Sequence, residues 1–188
     1  MKKIAIFASG SGSNAENIIR YFSDSTEIKV VSVLTNNHNA KVIERAKNLN
    51  ISYKIFNKSE FNESVEFLNY LIKEVDYIIL AGFLWLIPTR IIEKFPQKII
   101  NIHPALLPKY GGKGMFGTNV HQAVIDNKEK ETGITIHYVN EHYDEGTIIF
   151  QKSVKVELND TSETVAEKVH QLEYEYFPEV IESVILKK

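Results

Sequence analysis

Two polar residues end an otherwise apolar run near the middle of the chain, Asn101 and His103 in KIINIHPALLP. Residues two apart in an extended strand point to the same face, so these side chains are expected to lie together. An amide N–H can donate to an oxyanion, and an imidazole can exchange a proton near neutral pH. The pair therefore predicts either a site for proton transfer and oxyanion stabilisation or a satisfied polar pair at a strand end.

A third candidate group is Asp144, in the polar stretch NEHYDEGT. A carboxylate beside an imidazole raises the pKa of that imidazole and stabilises its charged form. The chain has no cysteine and no G-x-S-x-G motif, so a thiol or an elbow serine cannot be the nucleophile. This combination suits acyl transfer in which the amine of the substrate attacks. Asp144 followed by Glu145 and Gly146 is also compatible with a plain hairpin turn.

The elements that position these groups follow an alternating order. Short continuous apolar runs predict buried strands, and 3.6-residue periodicity predicts the helices between them. The predicted strands are Ile4–Phe7, Val30–Leu34, Tyr53–Phe56, Tyr77–Ala81 and Ile99–His103, and the predicted helices are Asn14–Phe22, Ala40–Leu49 and Phe61–Lys73. This order indicates an α/β fold with a mostly parallel, doubly wound (Rossmann-like) sheet. In the last of these helices the expected apolar stripe is Phe61, Val65, Leu68 and Ile72.

The pattern changes after residue 130. TGITIHYV and TIIFQKSVKV are separated by a short polar stretch and predict an antiparallel C-terminal extension of the sheet. A long C-terminal helix is expected over Thr161–Leu186, with Thr161 as its N-cap and a kink or break at Pro178. No linker or repeat divides the chain, so residues 1–188 are expected to form a single domain.

Composition excludes several classes of protein. The 188 residues are 44% hydrophobic and 24% charged with a net charge of -2, which gives no sign of nucleic-acid binding. No segment reaches the length of a membrane span, and the apolar run Ile4–Ala8 is too short for a signal peptide. We therefore expect a cytoplasmic protein with neither nucleic acid nor membrane as a partner.

The loop ASGSGSNAEN follows the first strand and opens the first helix. Gly10, Gly12 and Ala15 fit the G-x-G-x-x-G/A pattern, which places backbone N–H groups against a phosphate. A dinucleotide site also requires an acidic residue after the second strand, where this chain has Thr35-Asn36-Asn37, so NAD is disfavoured. A single phosphate is favoured over a simple turn in which Ser13 or Asn14 caps the helix.

Metal binding is the remaining chemistry to consider, because the chain has six histidines. His103, His121, His137 and an acid could in principle form a metal cluster. No H-E-x-x-H or similar spacing supports one, so we expect no metal.

Four stretches together resemble the folate-dependent formyltransferase family, and within it the phosphoribosylglycinamide formyltransferases. They are SGSGSN, LAGFLWLIP (Leu80–Pro88), NIHPALLPKY (Asn101–Tyr110) and DEGTII (Asp144–Ile149), in the family's order over nearly the whole chain. The Asn-x-His plus Asp set is shared with methionyl-tRNA formyltransferase and formyltetrahydrofolate deformylase. The Ser/Gly/Asn loop favours the ribonucleotide enzymes, and the chain is not expected to hold the extra domains of the other two.

The resemblance implies direct transfer of the formyl group of 10-formyltetrahydrofolate, a co-substrate, to the amine of glycinamide ribonucleotide in purine biosynthesis. Asn101, His103 and Asp144 match the family's catalytic residues. Residues matched to ribonucleotide binding are Gly12, Ser13, Asn14, His170 and Glu173. Residues matched to folate binding are Leu84, Trp85, Leu86, Ile87, Asn101, Asn140, Glu141, Tyr143 and Asp144. The N-terminal half is expected to bind the nucleotide phosphate and the C-terminal half to bind folate, in a monomer or homodimer.

Several positions depart from the family pattern. His170 stands in place of a glutamine that contacts the ribonucleotide, Ser64 in place of an arginine near the folate tail, and Trp85 in place of an arginine beside the pterin. The segment Gly111–Gly117 is longer and richer in glycine than usual, which indicates either a flexible surface loop or a mobile lid. Two other functions stay open: a different formyl-folate enzyme, including a hydrolase, and a non-catalytic phosphate-binding domain.

Overall fold

Seven strands form one sheet in the computed structural model, which describes residues 1–187. The strands are β1 (Lys2–Phe7), β2 (Ile28–Thr35), β3 (Ser52–Ile55), β4 (Tyr77–Leu80), β5 (Ile99–His103), β6 (Glu131–Tyr138) and β7 (Ile148–Lys155). Their order is β3-β2-β1-β4-β5-β6-β7, parallel from β3 to β5 and antiparallel from β5 to β7. The predicted fold class, including the antiparallel extension, is confirmed.

Helices cover both faces of this sheet. They are α1 (Ser13–Tyr21), α2 (Val42–Asn48), α3 (Lys58–Glu63), α4 (Val65–Glu74), α5 (Thr89–Ile92), α6 (Thr118–Asp126) and α7 (Ser162–Leu186). Alternate residues of β1 enter opposite cores: Ile6 packs in the core that includes α1 and α7, and Phe7 in the core that includes α4 and α5. A central strand buried on both faces explains why its sequence is a continuous apolar run.

The order of the strands reverses between β1 and β4. The chain adds β2 and β3 on one side of β1 and then crosses to add β4 and β5 on the other. In open parallel sheets, ligands bind beyond the carboxyl ends of the strands at such a switch point. The loops after β1, β4 and β5 therefore meet at the edge where a binding site is expected.

The helix predicted over Phe61–Lys73 is two helices, so that expectation is wrong. Ser64 lies between α3 and α4 in an extended conformation, and its hydroxyl accepts a hydrogen bond from the Phe67 N–H at 3.1 Å. A serine favours such a cap because its side chain replaces the missing helical partner. The new helix changes the buried face: Val65 and Ile72 are 62% and 48% exposed, whereas Phe67 is buried.

The C-terminal helix is confirmed, with Thr161 as its N-cap: the Thr161 hydroxyl accepts from the Thr164 N–H at 3.3 Å. It does not break at Pro178, although proline lacks the N–H that would bond one turn back. Phe177 and Ile181 flank the proline and are fully buried in the core, and this packing holds the helix together. Within residues 1–187, none of the helices combines the length and apolarity needed to cross a membrane.

Candidate active site

A cleft of about 640 Å³ opens along the edge where the parallel strands end. Its walls come from the loops after β1 and β4, the end of β5, residues 112–118, and one face of α7. The volume lies within the usual range for small-molecule sites. Five separate parts of the chain therefore contribute to one concave surface.

Asn101 and His103 both line this cleft from β5, on the face that the two-residue spacing predicts. In the antiparallel pairing with β6, Asn101 lies opposite His137 and His103 lies opposite Thr135. The His103 side chain is only 4% exposed, and Asn101 is half-buried. Placing both groups on a central strand fixes their positions before any ligand arrives.

The tautomer of His103 follows from its partners. Its Nε2 lies 2.7 Å from the Tyr110 carbonyl oxygen, which can only accept, so Nε2 carries a hydrogen and donates it. Its Nδ1 lies 3.5 Å from Asp144 Oδ2. Nδ1 is therefore the ring nitrogen that is available to gain or lose a proton.

Burial lowers the pKa of His103 below its ordinary value, and this effect is larger than the opposing charge of Asp144, which raises it. The sequence prediction that Asp144 raises the pKa is right for that one interaction and wrong for the net direction. The physical reason is that the imidazole lies inside the protein, where a charged ring is poorly solvated. A neutral His103 can accept a proton at Nδ1.

His137 holds the amide of Asn101. The His137 Nδ1 donates to the Tyr138 carbonyl at 2.8 Å, which leaves Nε2 as an acceptor for the Asn101 Nδ2 hydrogen at 3.0 Å. The side-chain nitrogen of Asn101, rather than its oxygen, therefore faces His137. From the sequence, His137 was considered for the site only as a possible metal ligand, because the register that places it opposite Asn101 is not visible without the sheet.

Asp144 joins the same group from the β6–β7 connection, with a left-handed backbone φ of 58°. Its Oδ2 accepts from the Gly112 N–H at 2.9 Å, and its Oδ1 lies 3.5 Å from Asn101 Nδ2. Burial alone raises the pKa of Asp144, but the His137 imidazole, the charge of His103 and the Gly112 N–H together hold it below its ordinary value. Asp144 is therefore an ionised acceptor in the middle of the cluster.

The loop after β1 leads into α1 through Gly12, which has a φ of 71° and makes no side-chain cap. The alternative in which Ser13 or Asn14 caps this helix is therefore wrong. A Cβ on Gly12 would collide with the side chain of Val42, so the close approach of the loop to α2 requires glycine. The uncapped first turn leaves N–H groups and the positive end of the helix dipole facing the cleft, an arrangement that suits an anion.

Glu173 of α7 connects two candidate ribonucleotide residues. It is 4% exposed, and its Oε2 accepts from Asn14 Nδ2 and from His170 Nδ1, both at 2.8 Å. The bond to Glu173 raises the pKa of His170, although partial burial opposes it. All three side chains line the cleft and present polar groups to it.

The candidate folate residues separate into two sets. Leu84, Asn101, Tyr143 and Asp144 line the cleft, and the Leu86 N–H donates to the Tyr143 hydroxyl at 3.1 Å. Outside the lining are Trp85, Leu86, Ile87, Asn140 and Glu141. Trp85 packs against Phe61 with ring centroids 5.9 Å apart, and Ile87 is buried in the same core.

Two lining residues with titratable side chains were not predicted for the site. His121 of α6 is 2% exposed, and its Nδ1 has no hydrogen-bond partner among residues 1–187. Burial, and next the charge of His170, lower the pKa of His121. Lys113 lies in the glycine-rich segment. Across residues 1–187, no group of three or more histidine or acidic side chains is arranged to hold a metal ion.

Comparison with known proteins assigns the chain to a family. The family described as formyl transferase matches residues 2–181. The chain is 37% identical to a phosphoribosylglycinamide formyltransferase from Bacillus subtilis, over 98% of this chain and 95% of that protein. It is 41% identical to a chloroplastic phosphoribosylglycinamide formyltransferase from Arabidopsis thaliana, over 97% of this chain. The chain spans 65% of the length of that relative and 61% of a similar protein from Vigna unguiculata.

Solved structures give the same result. A phosphoribosylglycinamide formyltransferase from Bacillus halodurans superposes with a TM-score of 0.86 at 33% identity, covering 98% of this chain and 95% of that one. A glycinamide ribonucleotide transformylase from Geobacillus kaustophilus gives a TM-score of 0.87 at 33% identity, covering 98% and 99%. The likeness therefore includes the strands and loops that line the cleft.

Proposed function

The chain belongs to the formyl transferase family, and from that premise we propose that it is a phosphoribosylglycinamide formyltransferase. It would transfer the formyl group of 10-formyltetrahydrofolate to the amine of glycinamide ribonucleotide, giving formylglycinamide ribonucleotide and tetrahydrofolate. The observation that carries this proposal is the cluster of Asn101, His103 and Asp144 inside one cleft, in a chain that matches the Bacillus subtilis enzyme over nearly its whole length.

The reaction is proposed to be a direct attack without a covalent enzyme intermediate. The amine nitrogen bonds to the formyl carbon, the carbonyl oxygen gains negative charge, and the bond to the folate nitrogen then breaks. The Asn101 amide donates to the oxyanion. Its 3.5 Å contact with Asp144 is long, so a substrate oxygen can compete for that N–H.

Proton transfer is assigned to His103. Its neutral Nδ1 accepts a proton as the amine attacks, and the resulting imidazolium stabilises the oxyanion before the proton moves to the leaving folate nitrogen. Asp144, 3.5 Å from Nδ1, stabilises that charged form. Holding both substrates in one cleft supplies much of the remaining rate.

The ribonucleotide is proposed to bind toward α1 and α7. Gly12, Ser13 and Asn14 would hold its phosphate through backbone N–H groups, and Glu173 and His170 would contact the rest of the molecule. The uncapped start of α1 and the buried Glu173 carboxylate support this assignment. His170 replaces the family's glutamine with a group that carries charge when protonated.

Folate is proposed to occupy the other end of the cleft. Leu84 lines that end, and the stretch Leu84–Ile87 is tied to Tyr143 by the Leu86 N–H. Trp85 and Ile87 would support the pocket from the core, and Asn140 and Glu141 would act from outside the cleft. We also propose a cytoplasmic monomer or homodimer, with the N-terminal half serving mainly the phosphate and the C-terminal half mainly folate and catalysis.

The test is formyl transfer from 10-formyltetrahydrofolate, followed by the absorbance of the released folate, with and without glycinamide ribonucleotide. Release that requires the ribonucleotide is the expected result. Release without it would make the chain a hydrolase. Absence of release under both conditions would leave a phosphate-binding domain or an enzyme with another acceptor.

A further inference from the structure

The charges that line the cleft are unevenly divided. Asp144 and Glu173 contribute two carboxylates, and Lys113 is the one lysine or arginine among the described residues of the lining. The Lys113 side chain is exposed and has no hydrogen-bond or ion-pair partner within residues 1–187. A phosphate entering this cleft would meet a deficit of fixed positive charge unless Lys113 contributes.

Arg45, a cation that supports the loop after β1, is already engaged. Arg45 of α2 donates from Nε to the Ser11 carbonyl at 2.8 Å and pairs with the Glu16 carboxylate through Nη1. Glu16 also accepts from Arg20, so its one carboxylate is shared by two arginines on this surface. Arg45 does not line the cleft. It therefore supports the loop after β1 from outside.

The backbone around Lys113 suits an anion as well. Residues 112–118 lead into α6, whose N-cap is Gly117 and which, like α1, has no side-chain cap. Side chains cap α3, α4 and α7, whereas α2 and α5 also lack a side-chain cap but do not line the cleft. Two helices thus begin at the same cleft without a side-chain cap and direct the positive ends of their dipoles toward it. Lys113 precedes one of these helix starts by five residues.

We propose that Lys113 pairs with the phosphate of the acceptor substrate and that the segment Gly111–Gly117 selects a phosphorylated acceptor. The inference rests on the proposed function, because it adds a residue to that substrate's site. Gly112, Gly114 and Gly117 have φ values of 96°, 91° and 56°, so the segment needs glycine to adopt its path over the cleft. Gly112 also donates to Asp144, so adjacent residues contact the phosphate and the reacting end of the cleft.

The first test compares Lys113→Ala with Lys94→Ala, a matched loss of one exposed lysine that has no side-chain partner among residues 1–187 and lies outside the cleft. We expect Lys113→Ala to raise KM for glycinamide ribonucleotide about tenfold, the usual scale for losing one charge-assisted hydrogen bond. Its kcat and its KM for folate should stay within about twofold of wild type. Lys113→Arg, which keeps the charge, should raise KM for glycinamide ribonucleotide less than Lys113→Ala does.

The same enzymes are then assayed with glycinamide riboside, which lacks the phosphate. Wild type and Lys113→Ala should become equal on this acceptor, because the group that distinguishes them is gone. An equal loss of activity on both acceptors, or an unchanged KM for the ribonucleotide, would overturn the inference. Neither result would contradict formyl transfer itself.

A binding experiment separates this inference from the proposed reaction. Ribose 5-phosphate is titrated calorimetrically into wild type, Lys113→Ala and Lys94→Ala at low and high salt. About tenfold weaker binding by Lys113→Ala alone, with a smaller salt dependence, supports the inference even if no formyl transfer is found. Equal binding by all three proteins, or no binding by wild type, overturns it.

Discussion

The two ends of the cleft are built on different principles. The strand corner, formed by Asn101, His103, His137 and Asp144, is held on a strand pair and an adjoining turn, and its polar groups bond to one another or to backbone groups. The helix end, formed by Gly12–Asn14, Gly111–Gly117, His121, His170 and Glu173, begins two helices without side-chain caps. At the helix end, Asn14 Oδ1 and His121 Nδ1 are buried and have no hydrogen-bond partner among residues 1–187.

This difference predicts different kinetic signatures. A cluster that is already assembled stabilises the developing charge without reorganising, so its variants should lower kcat. Groups left without protein partners are completed by a ligand, so changes at the helix end should mainly alter KM for the ribonucleotide. The predictions below test that division, beginning with the largest expected effect.

Asp144→Asn should lower kcat by about 10³, at the upper end of the range for one electrostatic group. The asparagine keeps an acceptor for the Gly112 N–H but removes the negative charge that stabilises protonated His103. Rapid-quench measurement of a single turnover, with both substrates saturating, isolates the chemical step.

The same variant has a spectroscopic signature. Because Asp144 raises the pKa of His103 against the effect of burial, its loss should lower the His103 titration midpoint further below about 6.5. Histidine NMR titration of wild type and Asp144→Asn measures that midpoint. A midpoint that rises, or a single-turnover rate near that of wild type, would remove Asp144 from the mechanism.

Asn101→Ala should lower kcat by about 10²–10³ because the oxyanion loses one donor. KM for the ribonucleotide should change little if the strand corner and the helix end act separately. Steady-state kinetics with each substrate varied in turn provide the measurement. A large rise in that KM with kcat preserved would mean that Asn101 binds substrate rather than the transition state.

At the helix end, Gly12→Ala should weaken ribonucleotide binding about tenfold and destabilise the fold by about 1–3 kcal/mol. A Cβ at this position meets Val42, and the φ of 71° disfavours any side chain. Urea unfolding and KM for the ribonucleotide measure the two effects.

Gly10→Ala is the matched control, because a Cβ there has no atom within 4 Å and the backbone is not left-handed. The double variant Gly12→Ala, Val42→Ala should recover part of the stability by removing the collision. Equal behaviour of the two glycine variants would show that the path of the loop does not depend on Gly12.

The strand corner was more predictable from sequence than the helix end. The i, i+2 spacing of Asn101 and His103 and the apolar runs around them specify a strand face without knowledge of distant contacts. His137 was considered for the site only as a possible metal ligand, because cross-strand register depends on the assembled sheet. Lys113 and His121, the latter considered only as a possible metal ligand, were not predicted for this site because the paths of the glycine-rich segment and of α6 are not visible in the sequence.

Local propensity explains the error at Ser64. An apolar stripe with 3.6-residue spacing through Phe61, Val65, Leu68 and Ile72 predicts one helix. A serine in the middle of that stretch can instead cap the start of a second helix. The new start shifts the buried face to Phe67 and Leu71. Periodicity alone cannot show whether the hydroxyl caps a helix or faces solvent, because that choice depends on the core the helix packs against.

The smallest expected effect concerns the ion pair inside the helix end. The bond to Glu173 raises the pKa of His170, so the pair stabilises the fold fully below about pH 6.5 and loses this contribution as pH rises through the folded-state pKa. His170→Gln keeps a hydrogen-bond donor and removes the charge. Because the His170 side chain is 48% exposed, we expect a loss of only a few tenths of a kcal/mol at pH 6.

Urea unfolding of wild type and His170→Gln at pH 6 and pH 9 measures this difference, which should vanish at the higher pH. His38→Gln, a change at an exposed histidine without a hydrogen-bond partner among residues 1–187, is the control for a general effect of losing one imidazole. A difference that persists at pH 9 would mean that His170 stabilises α7 by packing. The helix end would then resemble the strand corner in being complete before its ligand binds.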